Sequence, residues 1–266
     1  MKKTGRAVGK AALAVVIFVY LQAQVSAVYG VITALTNPVH SADEALSLVL
    51  SNDTLSWVSL ISGVLAALTL WLVWWLQGSN LWAQANVRRI RPTGVVFSAT
   101  MGVGVCLLVT VAMGLIPWPA SWMETYTEMA GEISGGWSVI SALATVVVAP
   151  VVEELVFRGI AYTSLKSVMP RWLAAVLVSA TFGLLHGTAI WFSYTFVLGF
   201  VMIFVYEQTK SLWGSIALHA AFNIVGQLPL MAEEPSFVSI VLVAGGGVAL
   251  TAVSGILLRA TQEQTD

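Results

Sequence analysis

The chain has 266 residues, of which 58% are apolar and only 9% are charged, and its mean hydropathy is +0.87. Average soluble domains contain roughly 45–50% apolar and about 25% charged residues. The composition therefore excludes a soluble enzyme, a secreted disulfide-bonded domain and a disordered chain, and it favours a polytopic membrane protein. A formal net charge of −1 argues against nucleic acid as a partner.

Continuous apolar runs predict an all-α polytopic membrane protein with about eight transmembrane helices, because a helix needs about 20 mostly apolar residues to cross the hydrocarbon core. We expect these helices to form one integral-membrane domain over residues 1–266. In chain order, the predicted spans are Ala11–Leu35, Leu55–Leu76, Val95–Ile116, Trp137–Leu165, Trp172–His186, Ile190–Tyr206, Leu212–Leu228 and Phe237–Leu258.

The first predicted span has an alternative interpretation. Its basic start, apolar stretch and Val25-Ser26-Ala27 resemble a signal peptide with a cleavage site. The apolar run continues beyond Ala27 to Leu35, which favours an uncleaved helix.

Charged residues predict the orientation of the spans. With eight spans, all twelve Lys and Arg residues fall on the side of the two termini, and the opposite side carries only acidic residues. Cytoplasmic loops are enriched in Lys and Arg, so both termini are predicted to be cytoplasmic, in the plasma membrane.

The segment Pro117–Gly136 differs from the spans. Apolar residues recur along one helical face and glutamates along the other, which predicts a short amphipathic helix on the outer membrane surface. The apolar face comprises Trp122, Tyr126, Met129 and Ile133, and the acidic face comprises Glu124, Glu128 and Glu132.

Ionisable residues within three predicted spans are the main functional signal. Charged groups at membrane depth are costly and persist mainly where they face a protein interior or a water-filled cavity. The fourth span contains Glu153, Glu154 and Arg158, the fifth contains His186, and the seventh contains His219 and Asn223.

Helical spacing predicts which of these side chains act together. Glu154 and Arg158 are four residues apart and are expected to form an ion pair. Glu153 projects about 100° away from Glu154 around the helix, which leaves it for chemistry. His219 and Asn223 share a helical face, as do Phe182 and His186.

This residue set predicts hydrolysis of an amide. A glutamate and a histidine together can deprotonate water for attack on a carbonyl, and a second histidine with an asparagine amide can donate hydrogen bonds to the resulting oxyanion. Two histidines and a glutamate also match a hydrolytic zinc site, but the HExxH spacing is absent. The preferred interpretation needs no cofactor, and zinc is the alternative.

The three motifs Glu153-Glu154-x-x-x-Arg158, Phe182-x-x-x-His186 and His219-x-x-x-Asn223 resemble the CPBP family, also called the CAAX amino-terminal protease or Abi family, which includes type II CAAX prenyl endopeptidases. The resemblance implies an intramembrane endopeptidase with its catalytic motif region at 137–228. It implies that Glu153 is the general base and that His186 holds and polarises the water. His219 and Asn223 would form the oxyanion site, while Glu154 and Arg158 shape the first motif.

The resemblance also implies a substrate class. The eukaryotic branch of the family trims prenylated CAAX proteins, whereas the short loops here are more similar to the bacterial branch, which is linked to bacteriocin immunity or to cleavage of other membrane peptides. The predicted partners are therefore a membrane-bound protein or peptide substrate and the lipid bilayer. Two other classes remain open: a proton- or ion-coupled transporter, and a non-catalytic immunity partner that binds a toxin through its acidic outer face.

Overall fold

A computed structural model describes residues 2–37, 41–133, 138–228, 230 and 236–263. The described residues form helices and connecting segments and contain no strand, which confirms the all-α prediction. Eleven helices are described: α1 (Lys2–Thr36), α2 (Ala42–Leu50), α3 (Asn52–Leu76), α4 (Leu81–Gln84), α5 (Pro92–Leu115), α6 (Ala120–Ile133), α7 (Val139–Leu165), α8 (Arg171–Leu184), α9 (Ala189–Thr209), α10 (Leu212–Gly226) and α11 (Phe237–Glu263).

Six of these helices are long and apolar enough to cross a membrane, namely α1, α3, α5, α7, α9 and α11. The predicted fifth and seventh spans correspond to the apolar helices α8 and α10, which have 14 and 15 residues. At 1.5 Å per residue a 14-residue helix is only about 21 Å long, which is less than the roughly 30 Å hydrocarbon core. The chain is an all-α polytopic membrane protein, and the count of eight complete crossings stays a prediction.

Large apolar side chains on the outside of these helices are consistent with a lipid environment. On α11, the side chains of Phe237, Leu242 and Ile256 are each at least two-thirds exposed. A soluble monomer rarely exposes so continuous an apolar surface. The predicted amphipathic segment is helical as α6, with Glu124 and Glu128 exposed, whereas Gly136 and Trp137 lie outside the described residues.

The described residues divide into two compact units. Unit 1 comprises residues 1–81 and 120–168, and unit 2 comprises residues 82–119 and 169–266. Each unit therefore combines two separated stretches of chain. The single domain predicted from the sequence stays a prediction.

In unit 1, α7 packs against α1 and α3. A ladder of buried residues at four-residue spacing, Val58, Ser62, Ala66, Leu70 and Trp74, forms the inner face of α3. Next to this ladder, a Cβ atom at Gly63 would lie 2.6 Å from Val148 Cγ1 of α7. Glycine therefore allows these two helices to approach closely, as small residues commonly do in membrane helix pairs.

Helix α7 contains two π-helical segments, Leu143–Val148 and Leu155–Tyr162. The first precedes Pro150, whose ring would clash with the carbonyl four residues earlier in a regular α-helix. The Ala149 amide instead donates to the carbonyl of Ala144, five residues back. The wider turn thus accommodates the proline without ending the helix. Such π-turns are frequent at functional sites.

In unit 2, glycines on α5 allow α10 and α11 each to pack closely against α5. A Cβ atom at Gly104 would lie 2.6 Å from Thr251 Oγ1 of α11, and one at Gly102 would overlap the carbonyl oxygen of Leu218 on α10. Two more elements of this unit, α8 and α9, pair where Gly199 faces Ser179.

The segment before α5 is fixed to α9 and α10 by hydrogen bonds. The side-chain amide of Asn86 donates to the Tyr206 hydroxyl at 2.7 Å, and the Leu212 amide donates to the Asn86 carbonyl at 3.1 Å. The Ser211 hydroxyl donates to the carbonyl of Arg88 at 2.5 Å. These bonds hold the arginine-containing segment that leads into α5 against the ends of its neighbours.

Candidate active site

Glu154 and Arg158 of α7 form the ion pair that their spacing predicts. Arg158 Nη1 lies 2.8 Å from Glu154 Oε1, and neither side chain is exposed. Breaking a buried pair by removing one partner is strongly destabilising, because the remaining charge stays buried and uncompensated. The pair therefore acts first as a structural constraint on the helix that carries it.

Glu153 has a different environment from its neighbour. It is half-buried, whereas Glu154 is completely buried, and it interacts electrostatically with Arg158. The next residues of α7 are π-helical and entirely buried. Phe157 among them packs edge-to-face on Phe18 of α1, with ring centroids 6.2 Å apart. Glu153 thus projects from a rigidly packed stretch of helix while it keeps partial access.

His186 does not lie within a helix, and the predicted fifth span Trp172–His186 is wrong at this end. Helix α8 ends at Leu184, and Gly187 follows with φ +87°, a left-handed conformation that favours glycine and ends the helix. His186 therefore lies in the turn between α8 and α9. It still contacts Phe182, because its Nδ1 is 2.7 Å from the Phe182 carbonyl oxygen.

This hydrogen bond determines the tautomer of a neutral His186 ring. A carbonyl oxygen only accepts, so Nδ1 carries the proton and donates it. Nε2 is then the acceptor nitrogen of the ring. In chemical terms, His186 can accept a proton or a hydrogen bond from water through Nε2.

Phe182 brings two histidines of unit 2 together. Its ring centroid lies 4.6 Å from that of His186 and 6.0 Å from that of His219, in both cases at steep interplanar angles. Phe182 is 1% exposed and His219 is 4% exposed. The Phe182 ring thus packs against both imidazoles, the half-buried one of His186 in the turn and the buried one of His219 on α10.

Asn223 lies one turn after His219 on α10 and is half-buried. The predicted four-residue relation between these two residues is present, since both lie in the helical range Leu212–Gly226. Two hydrogen-bond donors from one helix can stabilise a developing oxyanion.

Gly102 is a residue that sequence reasoning missed. Its missing side chain allows α5 to touch the Leu218 carbonyl, next to His219. The only sequence signal is small residues at four-residue spacing along α5, namely Gly94, Ser98 and Gly102, which is typical of close helix packing.

We expect Gly102→Val to destabilise the protein by about 1–3 kcal/mol, because the larger side chain must push α10 away, and to displace His219 with it. Gly114→Val on the same helix is the matched control, since nothing lies within 4 Å of a Cβ atom there. Thermal unfolding in mild detergent measures both variants. Equal melting temperatures for the two would contradict this account of Gly102.

The zinc alternative requires three or four donor side chains close together. Within the described ranges, no three or more His, Cys, Asp or Glu side chains are grouped so that they could hold a metal ion. The use of zinc stays a prediction, and no step of a reaction is assigned to a metal.

Comparison with known proteins supports the resemblance over part of the chain. Residues 135–225 match the family model of type II CAAX prenyl endopeptidase Rce1-like proteins. The protein named "Putative membrane peptidase YdiL" from Bacillus subtilis (strain 168) is 30% identical over 77 residues, which are 29% of this chain and 32% of that protein. The chain thus matches about a third of the length of this curated relative. No solved structure matches.

The matched region contains all the predicted site residues, and the family resemblance is confirmed there. Glu153, Glu154 and Arg158 lie on α7 of unit 1. His186, His219 and Asn223 belong to unit 2. Gly102 lies outside the matched region.

Proposed function

We propose that this chain is an intramembrane endopeptidase, which hydrolyses a peptide bond of a membrane-associated protein or peptide by glutamate-activated water. Prenylated CAAX-type proteins belong to the proposed substrate class. The observation that carries the proposal is the pair of imidazoles held on Phe182, within a segment that matches an endopeptidase family. The peptidase name of the Bacillus subtilis relative supports the same activity.

The proposed first step is the activation of water. The Glu153 carboxylate takes a proton from water, and the resulting hydroxide attacks the carbonyl carbon of the scissile amide. The acceptor nitrogen Nε2 of His186 receives a hydrogen bond from the same water. Because Nδ1 is held on the Phe182 carbonyl, a neutral His186 ring already has the tautomer that this role requires, and the attack needs no tautomer exchange.

The proposed second step is the collapse of the tetrahedral intermediate. His219 and the Asn223 amide donate hydrogen bonds to the oxyanion, where they lower the energy of charge that develops only in the transition state. Glu153 then returns its proton to the leaving nitrogen, the C–N bond breaks, and a carboxylate and an amine are released. The Glu154–Arg158 pair touches no reacting atom in this scheme and positions Glu153 instead.

We propose a plasma-membrane location in a bacterium, with both termini in the cytoplasm. Support comes from the clustering of all twelve Lys and Arg residues on one side of the predicted topology. Unit 1 and unit 2 each include candidate spanning helices, so both belong to the membrane-embedded part of the protein.

The activity is tested on purified protein in liposomes. The substrates are a quenched farnesylated CAAX peptide and a mixed pool of membrane peptides, each with and without a metal chelator. We expect cleavage that survives chelation and falls by about 10²–10³-fold in Asn223→Ala, since the loss of one oxyanion donor has this effect.

Two other results would redirect the proposal. Loss of cleavage on chelation, restored by zinc, would make the histidines ligands and would overturn the glutamate mechanism. If folded wild-type protein cleaves neither substrate and Glu153→Gln still protects cells from a bacteriocin, a non-catalytic immunity role replaces the peptidase.

A further inference from the structure

We propose that unit 2 contains a binding site for an anionic phospholipid, with the phosphate held by Arg89 and Arg91. This inference is independent of the proposed peptidase activity. It concerns two cavities of unit 2, at the start of α5 and near the ends of α9 and α11, whose linings include none of the motif residues.

The first cavity has a volume of about 180 Å³ and is lined by two arginines, by neutral polar side chains and by Ile90, Gly94 and Leu258. Arg89 and Arg91 come from the segment that leads into α5, Gln208 and Thr209 come from the end of α9, and Thr261 comes from the end of α11. The lining contains no acidic residue, so the cavity is positively charged. The N-terminus of the 24-residue helix α5 adds a further partial positive charge.

Neither arginine side chain pairs with another group of the described protein. Within the described residues, the side chains of Arg89 and Arg91 form no hydrogen bond and no ion pair. The nearby acid Glu207 pairs instead with Arg171 and Lys210, at 3.9 and 3.7 Å. Arg91 precedes α5 without making a side-chain cap. Two guanidinium groups with no internal partner therefore face the cavity, and such groups bind phosphate oxygens with bidentate geometry.

A second cavity shares Arg89 and Ile90 with the first and is mainly apolar. It has a volume of about 330 Å³ and is otherwise lined by Val95 of α5 and by Trp213, Ile216 and Ala217 of α10. Trp213 is 47% exposed near the start of α10, and tryptophan is typical of the lipid headgroup level. An acyl chain can lie along this surface while its phosphate contacts Arg89.

The basic cavity and the adjoining apolar cavity together favour a phospholipid over a soluble phosphate as the ligand. A free phosphate would need only the first cavity, whereas a phospholipid satisfies the arginines and covers the apolar lining. Basic pockets between transmembrane helices commonly bind the headgroups of anionic lipids on the cytoplasmic side, the side to which the proposed topology assigns these arginines.

The test measures lipid binding to the full-length protein in neutral detergent by native mass spectrometry. Dioleoylphosphatidylglycerol is titrated against wild type, the Arg89→Gln/Arg91→Gln variant, and a Lys3→Gln/Arg6→Gln variant that removes the same charge from an exposed part of α1. Removing two surface arginines should weaken binding roughly 30-fold, at about 1 kcal/mol each. The α1 variant should bind like wild type.

Two further measurements distinguish a phospholipid from inorganic phosphate as the ligand of this site. Ile216→Trp fills the apolar cavity and keeps both arginines, and it should also weaken binding of this lipid. Inorganic phosphate should not displace the lipid. Equal affinity of the two double variants would overturn the site, and displacement by inorganic phosphate alone would reassign it to a soluble anion.

Discussion

Replacing Glu153 with glutamine is expected to lower kcat/KM for a cleaved membrane peptide by about 10³–10⁴-fold, which is the upper range for loss of a general base. Glutamine keeps the size and the hydrogen-bonding capacity of the side chain but cannot take a proton from water. Because Glu153 is half-buried, whereas the Glu154–Arg158 pair is completely buried, the substitution should change the melting temperature much less than the loss of either member of that pair. Initial rates with the quenched peptide measure the effect.

Glu124→Gln on α6 is the control for this prediction, because that carboxylate is exposed and has no role in the proposed reaction. A second comparison combines Glu153→Gln with His186→Ala, because both side chains act on the attacking water in the proposed first step. Residues that act in one chemical step have non-additive effects, so the double variant should be only slightly slower than Glu153→Gln alone. Full activity of folded Glu153→Gln would rule out the proposed base.

The Arg158→Leu variant is expected to lose about 3–5 kcal/mol of unfolding free energy, because it leaves the Glu154 carboxylate buried without its compensating charge. The side chains of both residues are completely buried, so solvent does not screen the loss. Unfolding by denaturant in mild detergent measures the change.

The double variant Glu154→Leu/Arg158→Leu is the matched control. Apolar replacements of a buried ion pair are often neutral or stabilising, so this variant should recover most of the lost stability. Its cleavage rate then reports on positioning, since Glu153 is present but its neighbouring pair is not. A stable Arg158→Leu variant would contradict the structural role given to the pair.

Much of the fold follows from hydropathy alone. The apolar runs predict most of the long helices to within a few residues, and the four-residue spacing predicts the Glu154–Arg158 contact, because one turn of helix brings such residues together. The short helices α2 and α4 were not predicted. Each has fewer than ten residues, too few to show a hydrophobic period.

The parts that sequence reasoning missed depend on backbone conformation and on distant contacts. The end of α8 before His186 depends on the left-handed backbone of Gly187. A hydropathy pattern does not contain this information. The role of Gly102 depends on its contact with α10, which lies more than 100 residues later in the chain. No local sequence pattern predicts a contact between helices so far apart in the chain. The roles of Glu153, His186, His219 and Asn223 stay predictions.

The π-helical segment Leu143–Val148 also affects how this chain can tolerate insertions and deletions. A π-turn holds one residue more than an α-turn, so a single-residue deletion there, combined with replacement of Pro150, can restore a regular helix while the residues after it keep their directions. The same deletion within Ala149–Glu154 would rotate every later side chain by about 100°, which is the angle between Glu153 and Glu154. Length variation among homologues should therefore be concentrated in the two π-helical segments, Leu143–Val148 and Leu155–Tyr162, and absent from Ala149–Glu154 between them.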